Sequence, residues 1–228
     1  MHVRHRVLTV AALLMLVLPA AALPAAMAPP PLADSTSHVV PIGAARLLPA
    51  GTTVTVVGSV TVPSGLFASS FGDEGFAIQD ATGGIYVSIA DNLHLGLQQR
   101  VQVTGQLVES SGLLTLVPAA DDDVTALGRG FRVRSQWERT GNVGPANQGR
   151  LVFVVGIITQ PIVPDPPFGN KIFVNDGSGE LRVYVNATTG IDLSGLAQGQ
   201  LLSATGLSSA FDTPELDVRF QSDLRQPH

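Results

Sequence analysis

Apolar and polar positions alternate along two stretches of this chain in nearly the same way. In residues 76–89, Phe76 and Ile78, then Ile85, Val87 and Ile89, point to one side of an extended chain. That is the two-residue period of strands. Asp80, Ala81, Thr82, Gly83 and Gly84 lie between them and tolerate positive φ, so the pattern predicts a tight hairpin. About a hundred residues later the pattern returns in residues 172–185, with Asp176, Gly177, Ser178 and Gly179 at the turn.

The surroundings of the two hairpins repeat as well. Val54, Val56 and Val60 alternate about Gly58, and residues 152–158 match them with Gly156 in the same place. A glycine inside a strand marks a bulge or a sharp coil. Residues 101–107 and 113–117 read as fourth and fifth strands of the first repeat, and 202–206 and 215–220 as those of the second. Connectors at 90–100 and 186–199 separate strands three and four, the first expected to hold a helical turn or two. The expected fold is all-β: two tandem five-stranded barrels of the OB type, each with a long coiled first strand. An immunoglobulin-like sandwich is the alternative, but it needs about seven strands per unit and lacks the connector.

The amino terminus reads separately. Arg4 and Arg6 precede an apolar run at 7–18 and a small-residue stretch at 19–28, the pattern of a secretory signal. Ala20 to Ala22 offers one cleavage site and Ala26 to Ala28 another. An uncleaved anchor is the competing reading, opposed by Pro19 and Pro24. The expected organisation is a signal peptide at 1–28, a disordered lead-in at 29–38, barrel one at 39–118 and a linker at 119–148. Barrel two follows at 149–222, then a tail at 223–228. The expected location is secreted or extracytoplasmic.

The run AARLLPAGTTVTVVGSVT at 44–61, followed by GFAIQDATGGIYV at 75–87, resembles the OB-fold domains of bacterial secreted proteins. QGRLV at 148–152 with VGIIT at 155–159 resembles the start of a second such unit. The similarity covers residues 39–222. It implies membership of the broad nucleic-acid-binding OB superfamily, whose domains often sit beside extracellular nucleases or phosphatases. Gln98 departs from the pattern, standing where repeat two keeps Gly199.

Composition narrows the chemistry. The chain has no Cys, which excludes disulfides and thiolate chemistry. Its five histidines are scattered, and no catalytic or metal-binding group can be assembled from them, so neither an enzyme nor a cofactor is expected. Asp80 and Asp176 are read as capping their own turns, and Asp121 to Asp123 as a solvated acidic run rather than a Ca²⁺ site. Without the signal, eleven basic residues face eighteen acids, a net charge of about −7 that gives no long-range attraction for polyphosphate.

Alternation turns Gln79 and Tyr86 outward on repeat one, and Phe173, Arg182 and Tyr184 outward on repeat two. These five are the candidate ligand-binding face, suited to single-stranded nucleic acid through stacking and one guanidinium. The alternative for repeat two is that this face packs on repeat one. Arg129, Arg132, Arg134, Arg139 and Arg150 crowd one segment against Glu138 alone. That segment is read as pairing with the chain's many acids, with a phosphate-tracking patch as the lesser reading. The expected function is a non-catalytic binding module for single-stranded DNA or RNA. The alternatives are a carbohydrate-binding module and a structural or partner-docking protein of the cell envelope. Contact with a membrane is expected only through an uncleaved signal segment.

Overall fold

Gly58 is where the first strand changes partner. In the computed structural model, which describes residues 38–67 and 72–227, strand β1 (Thr53–Val62) pairs antiparallel with β4 (Gln99–Ser110) from Thr53 to Ser59. From Ser59 onward it pairs instead with β2 (Phe76–Gln79). A Cβ on Gly58 would lie 3.0 Å from Ile78 Cβ and 3.1 Å from the Gln79 nitrogen, so only glycine lets β2 come this close. Strands β3 (Gly84–Val87) and β5 (Leu113–Val117) complete the unit. The order is β1-β2-β3-β5-β4, closed by the β1–β4 pairing. The β3–β5 pair is parallel and the other pairs of the barrel are antiparallel. This is the strand order of the OB-fold.

The second unit repeats it. Strand β8 (Leu151–Ile158) turns at Gly156, whose Cβ would meet Asn175 at 2.9 Å. It passes from β12 (Leu201–Phe211) to β10 (Gly169–Asn175). With β11 (Glu180–Asn186) and β13 (Thr213–Val218) the order is β8-β10-β11-β13-β12, closed by β12–β8, and β11–β13 is again the parallel pair. Each barrel has its own core. Val54, Val56, Phe76, Ile78 and Ile85 fill the first, and Val152, Val154, Ile172, Leu181 and Val183 the second.

Each hairpin aspartate anchors more than its own turn. Asp80 Oδ1 accepts from the backbone nitrogens of Thr82 (2.7 Å) and Gly83 (2.8 Å), while Oδ2 accepts from Ile42 N (2.9 Å) at the start of the single helical turn α1 (Ile42–Ala45). Asp176 accepts from Ser178 N (2.9 Å) and from Thr140 Oγ1 (2.8 Å), in the 3₁₀ turn Thr140–Asn142. Both repeats therefore begin with a short turn tied to the hairpin carboxylate. Hydrogen bonding holds both carboxyls below the usual range; for Asp80 the four donors overcome an opposing push from burial, and for Asp176 the Ser178 hydroxyl contributes most.

Three regions differ from the sequence reading. The connector at 90–100 has no helix, because Asn92 Oδ1 takes His94 N (2.9 Å) and Gln99 Oε1 takes Gly96 N (2.6 Å), bonds that compete with a helical turn. The segment 119–148 is built into both sheets: β6 (Val124–Arg129) adds to β4, and β7 (Gln136–Trp137) runs parallel to β8. The tail holds β14 (Leu224–Arg225), paired with β12. A further strand, β9 (Val163–Asp165), borders β10. The expected signal segment, with its cleavage sites, lies outside the described residues.

The two barrels share a third apolar cluster, in which Val62, Phe67, Ala77 and Tyr86 of barrel one meet Leu207 of β12. The outer face of β1-β2-β3 is therefore covered by barrel two. Polar groups there are satisfied across the seam. Gln79 Oε1 accepts from Leu151 N (2.8 Å), and Arg219 Nη1 donates to Thr61 O (2.8 Å). Gln148 accepts from Arg46 Nη2 (2.9 Å) and Leu114 N (3.1 Å) and donates to Gly112 O (2.7 Å). Gly84 and Gly149 pass backbone to backbone, and a Cβ on either would overlap the other's carbonyl oxygen.

Candidate functional site

The five residues expected to share a ligand face are divided by the fold. Gln79 and Tyr86 are 7% and 3% exposed. They do face away from the core of barrel one, but that side is the seam, so they are not a surface. Tyr86 donates to Asp73 Oδ1 (3.0 Å), and burial with the Asp73 charge holds its hydroxyl protonated far above the usual range. The alternative packing is thus inverted: the covered face belongs to repeat one.

Phe173, Arg182 and Tyr184 do come together, half-buried on the outside of barrel two, with Phe173 opposite Arg182 and Lys171 opposite Tyr184. Their polar groups are already engaged. Tyr184 donates to Asp165 Oδ2 (3.3 Å), which also meets Lys171 Nζ at 2.9 Å. Arg182 donates through Nη2 to Phe211 O (2.7 Å), and its Nε lies 2.7 Å from Glu215 Oε2 without hydrogen-bond alignment. Beyond Glu215 lies Asp217, with one carboxyl oxygen buried and unpartnered. Burial pushes Glu215 up to about 7, against the pull of Arg182. Burial together with the Glu215 charge holds Asp217 well above the carboxylate range. A patch that neutralises its own cations over two buried acids is poorly suited to a polyanion.

The free positive charge lies elsewhere. A cleft of about 780 Å³ opens beside the seam. Its walls are the end of β1 (Val60, Thr61), the turn before β4 (Leu97, Gln98), and the outer side of β8 and β12 (Phe153, Ser203, Thr205). The segment between β6 and β7 crosses it, contributing Arg132 and Arg134, and the chain after β13 contributes Arg219 and Arg225. Asp223 is the one acid among these lining residues. Arg219 is spent on it, with Nε–Oδ2 at 2.9 Å and Nη2–Oδ1 at 3.0 Å, and lies 5.3 Å from the Phe220 ring centroid. Arg132 and Arg134 are exposed and, among the described residues, enter no ion pair.

Backbone bonds fix the crossing segment at both ends. Gly130 N donates to Gln98 O (2.7 Å) and Phe131 N to Ser59 Oγ (3.1 Å); Glu138 N donates to Phe153 O (2.9 Å). Two rings of the crossing segment are exposed, Phe131 at 53% and Trp137 at 59%, though neither lines the cleft itself. The reading of this segment as pairing with the chain's acids is corrected. None of its five arginines is in an ion pair among the described residues, and Arg150 donates instead to Thr82 O. The signal was the density of arginine, phenylalanine and tryptophan between 129 and 139; charge balance over the whole chain concealed it. Asp123 meanwhile caps its own turn, accepting from Ala119 N and Ala120 N at 3.1 Å each.

No protein-family model matches the chain, and no curated protein matches it significantly. Among solved structures it is similar to the hypothetical protein ygiW from E. coli, at 19% identity and a TM-score of 0.31 over 39% of this chain and 89% of that one. It is also similar to a murine DNA-binding protein bound with double-stranded DNA, at 12% identity and a TM-score of 0.39 over 72% and 90%. A third is the Ifi202 HINa domain in complex with 20-bp double-stranded DNA, at 12% identity and a TM-score of 0.36 over 74% and 92%. The fold itself rests on this chain's own strand order and pairing.

Proposed function

We propose that this protein is an exported, non-catalytic binding module that takes single-stranded nucleic acid in the arginine-lined cleft. The observation that carries this reading is charge placement. In a chain of net charge −5, Arg132, Arg134, Arg219 and Arg225 converge on one cleft against Asp223 alone. Guanidinium groups bind phosphate oxygens in a fixed planar geometry. The exposed rings of Phe131 and Trp137 offer stacking faces, which favours unpaired bases over a duplex.

The test is a titration of labelled single-stranded DNA by fluorescence anisotropy at about 50 and 200 mM salt. Three net positive charges predict a slope of log affinity on log salt near −2, or roughly a twenty-fold loss over that range. Replacing Arg132 and Arg134 together by alanine should reduce the loss to roughly three-fold. Absence of binding at the lower salt overturns the reading, and binding that hardly responds to salt transfers the ligand to a neutral glycan. Export is tested separately by amino-terminal sequencing, with a start near Leu23 or Pro29 expected and one at Met1 counting against it.

A further inference from the structure

Gln98 occupies a backbone position that its counterpart fills with glycine. Its φ is +64°, and that of Gly199 in the second repeat is +87°. The two turns are built alike: Gln98 N donates to Val60 O (3.0 Å), and Gly199 N to Ile158 O (2.8 Å). A turn needing only this conformation is served better by glycine, because a side chain is strained in the left-handed region. Strain of this kind is kept where the side chain has a use. Gln98 lines the arginine-bearing cleft and also a pocket with Leu97, Gln99, Gly128 and Arg129. Its side-chain amide has no hydrogen-bond partner among the described residues, while its main-chain carbonyl oxygen accepts from Gly130 N at 2.7 Å. The turn thus holds an uncommitted donor and acceptor in the wall of the cleft, at the point where the arginine segment enters.

Resting on the nucleic-acid reading of that cleft, we infer that Gln98 is its specificity residue, reading base edges while Arg132 and Arg134 hold phosphates. A primary amide places an N–H donor group and a carbonyl acceptor side by side in a single plane, the arrangement that matches a base edge. Phosphate contacts set affinity and salt dependence, whereas base contacts set discrimination. The two contributions can therefore be separated by experiment.

The experiment compares the full chain with Gln98→Gly and Gln98→Asn, using labelled homopolymers of deoxyadenosine, deoxycytidine and thymidine of about twelve nucleotides. The original protein should spread these affinities by about five-fold or more. In Gln98→Gly the spread should shrink to within about two-fold, the salt slope should stay, and the melting temperature should rise as the turn relaxes. Gln98→Asn keeps an amide on a residue that tolerates positive φ, so it should retain part of the spread. An unchanged spread in Gln98→Gly overturns the inference, as does a uniform loss of affinity with a lower melting temperature. Equal binding of the three homopolymers by the original protein overturns it while leaving the cleft in place. Failure to bind any of them removes both.

Discussion

Glu215 and Asp217 stand two residues apart on β13, and the cation next to them is Arg182, 2.7 Å from Glu215. Because both carboxyls are raised in the folded state, the fold binds protons there more tightly than the unfolded chain does. That stabilisation is complete below the ordinary carboxylate pKa, near 4, and is lost as pH rises through the folded value of about 7 for Glu215. Asp80 and Asp176 act in the opposite sense: their contribution is present above the ordinary range and lost as pH falls below it. Thermal unfolding followed by circular dichroism should therefore show the melting temperature falling between about pH 5 and pH 8. Asp217→Asn should remove most of that fall and raise the value at about pH 8 by roughly 2–6 °C. Arg182→Ala, which leaves both acids without their cation, should cost about 3–5 kcal/mol in denaturant unfolding and leave oligonucleotide affinity unchanged.

At the scale of the element, Gly84 and Gly149 make the seam between β3 and the turn before β8 possible. Gly84→Ala would force two backbones apart, and chemical denaturation should report a loss of more than about 3 kcal/mol. The strands themselves were legible. Val54, Val56 and Val60 announced β1, Gly58 a coil or bulge within it, and Asp80 and Asp176 the hairpin turns, since period and turn chemistry are local properties. What covers a strand's outer face is not local. Thr55, Ser59 and Gln79 alternate with apolar residues as water-facing positions do, yet they are 3%, 0% and 7% exposed. Phe131 N and Leu151 N supply the hydrogen bonds that water would have made to Ser59 and Gln79. The 3₁₀ turn at Thr140–Asn142 was equally hard to see, because three residues are too short to show a period.

Across the whole molecule, the cleft depends on both barrels and on the segment between them, so no single repeat carries it. Barrel one made alone would expose Val62, Ala77 and Tyr86, an apolar patch that invites aggregation. The crossing segment has one more consequence. Arg132, Arg134 and Arg139 are exposed outside any strand. The exposed Arg100, Arg129 and Arg225 lie in β4, β6 and β14, and the single lysine, Lys171, is half-buried. Brief trypsin treatment should therefore nick the polypeptide here before elsewhere. The break would leave β6 paired with β4 and β7 paired with β8. The seam bonds of Gln79, Arg219 and Gln148 all join residues outside the cut. A denaturing gel should show two fragments where size-exclusion chromatography still shows one particle. Covalent continuity would then matter for assembling the protein and not for holding it together, which makes the two halves candidates for a split reporter that reassembles without a fused partner.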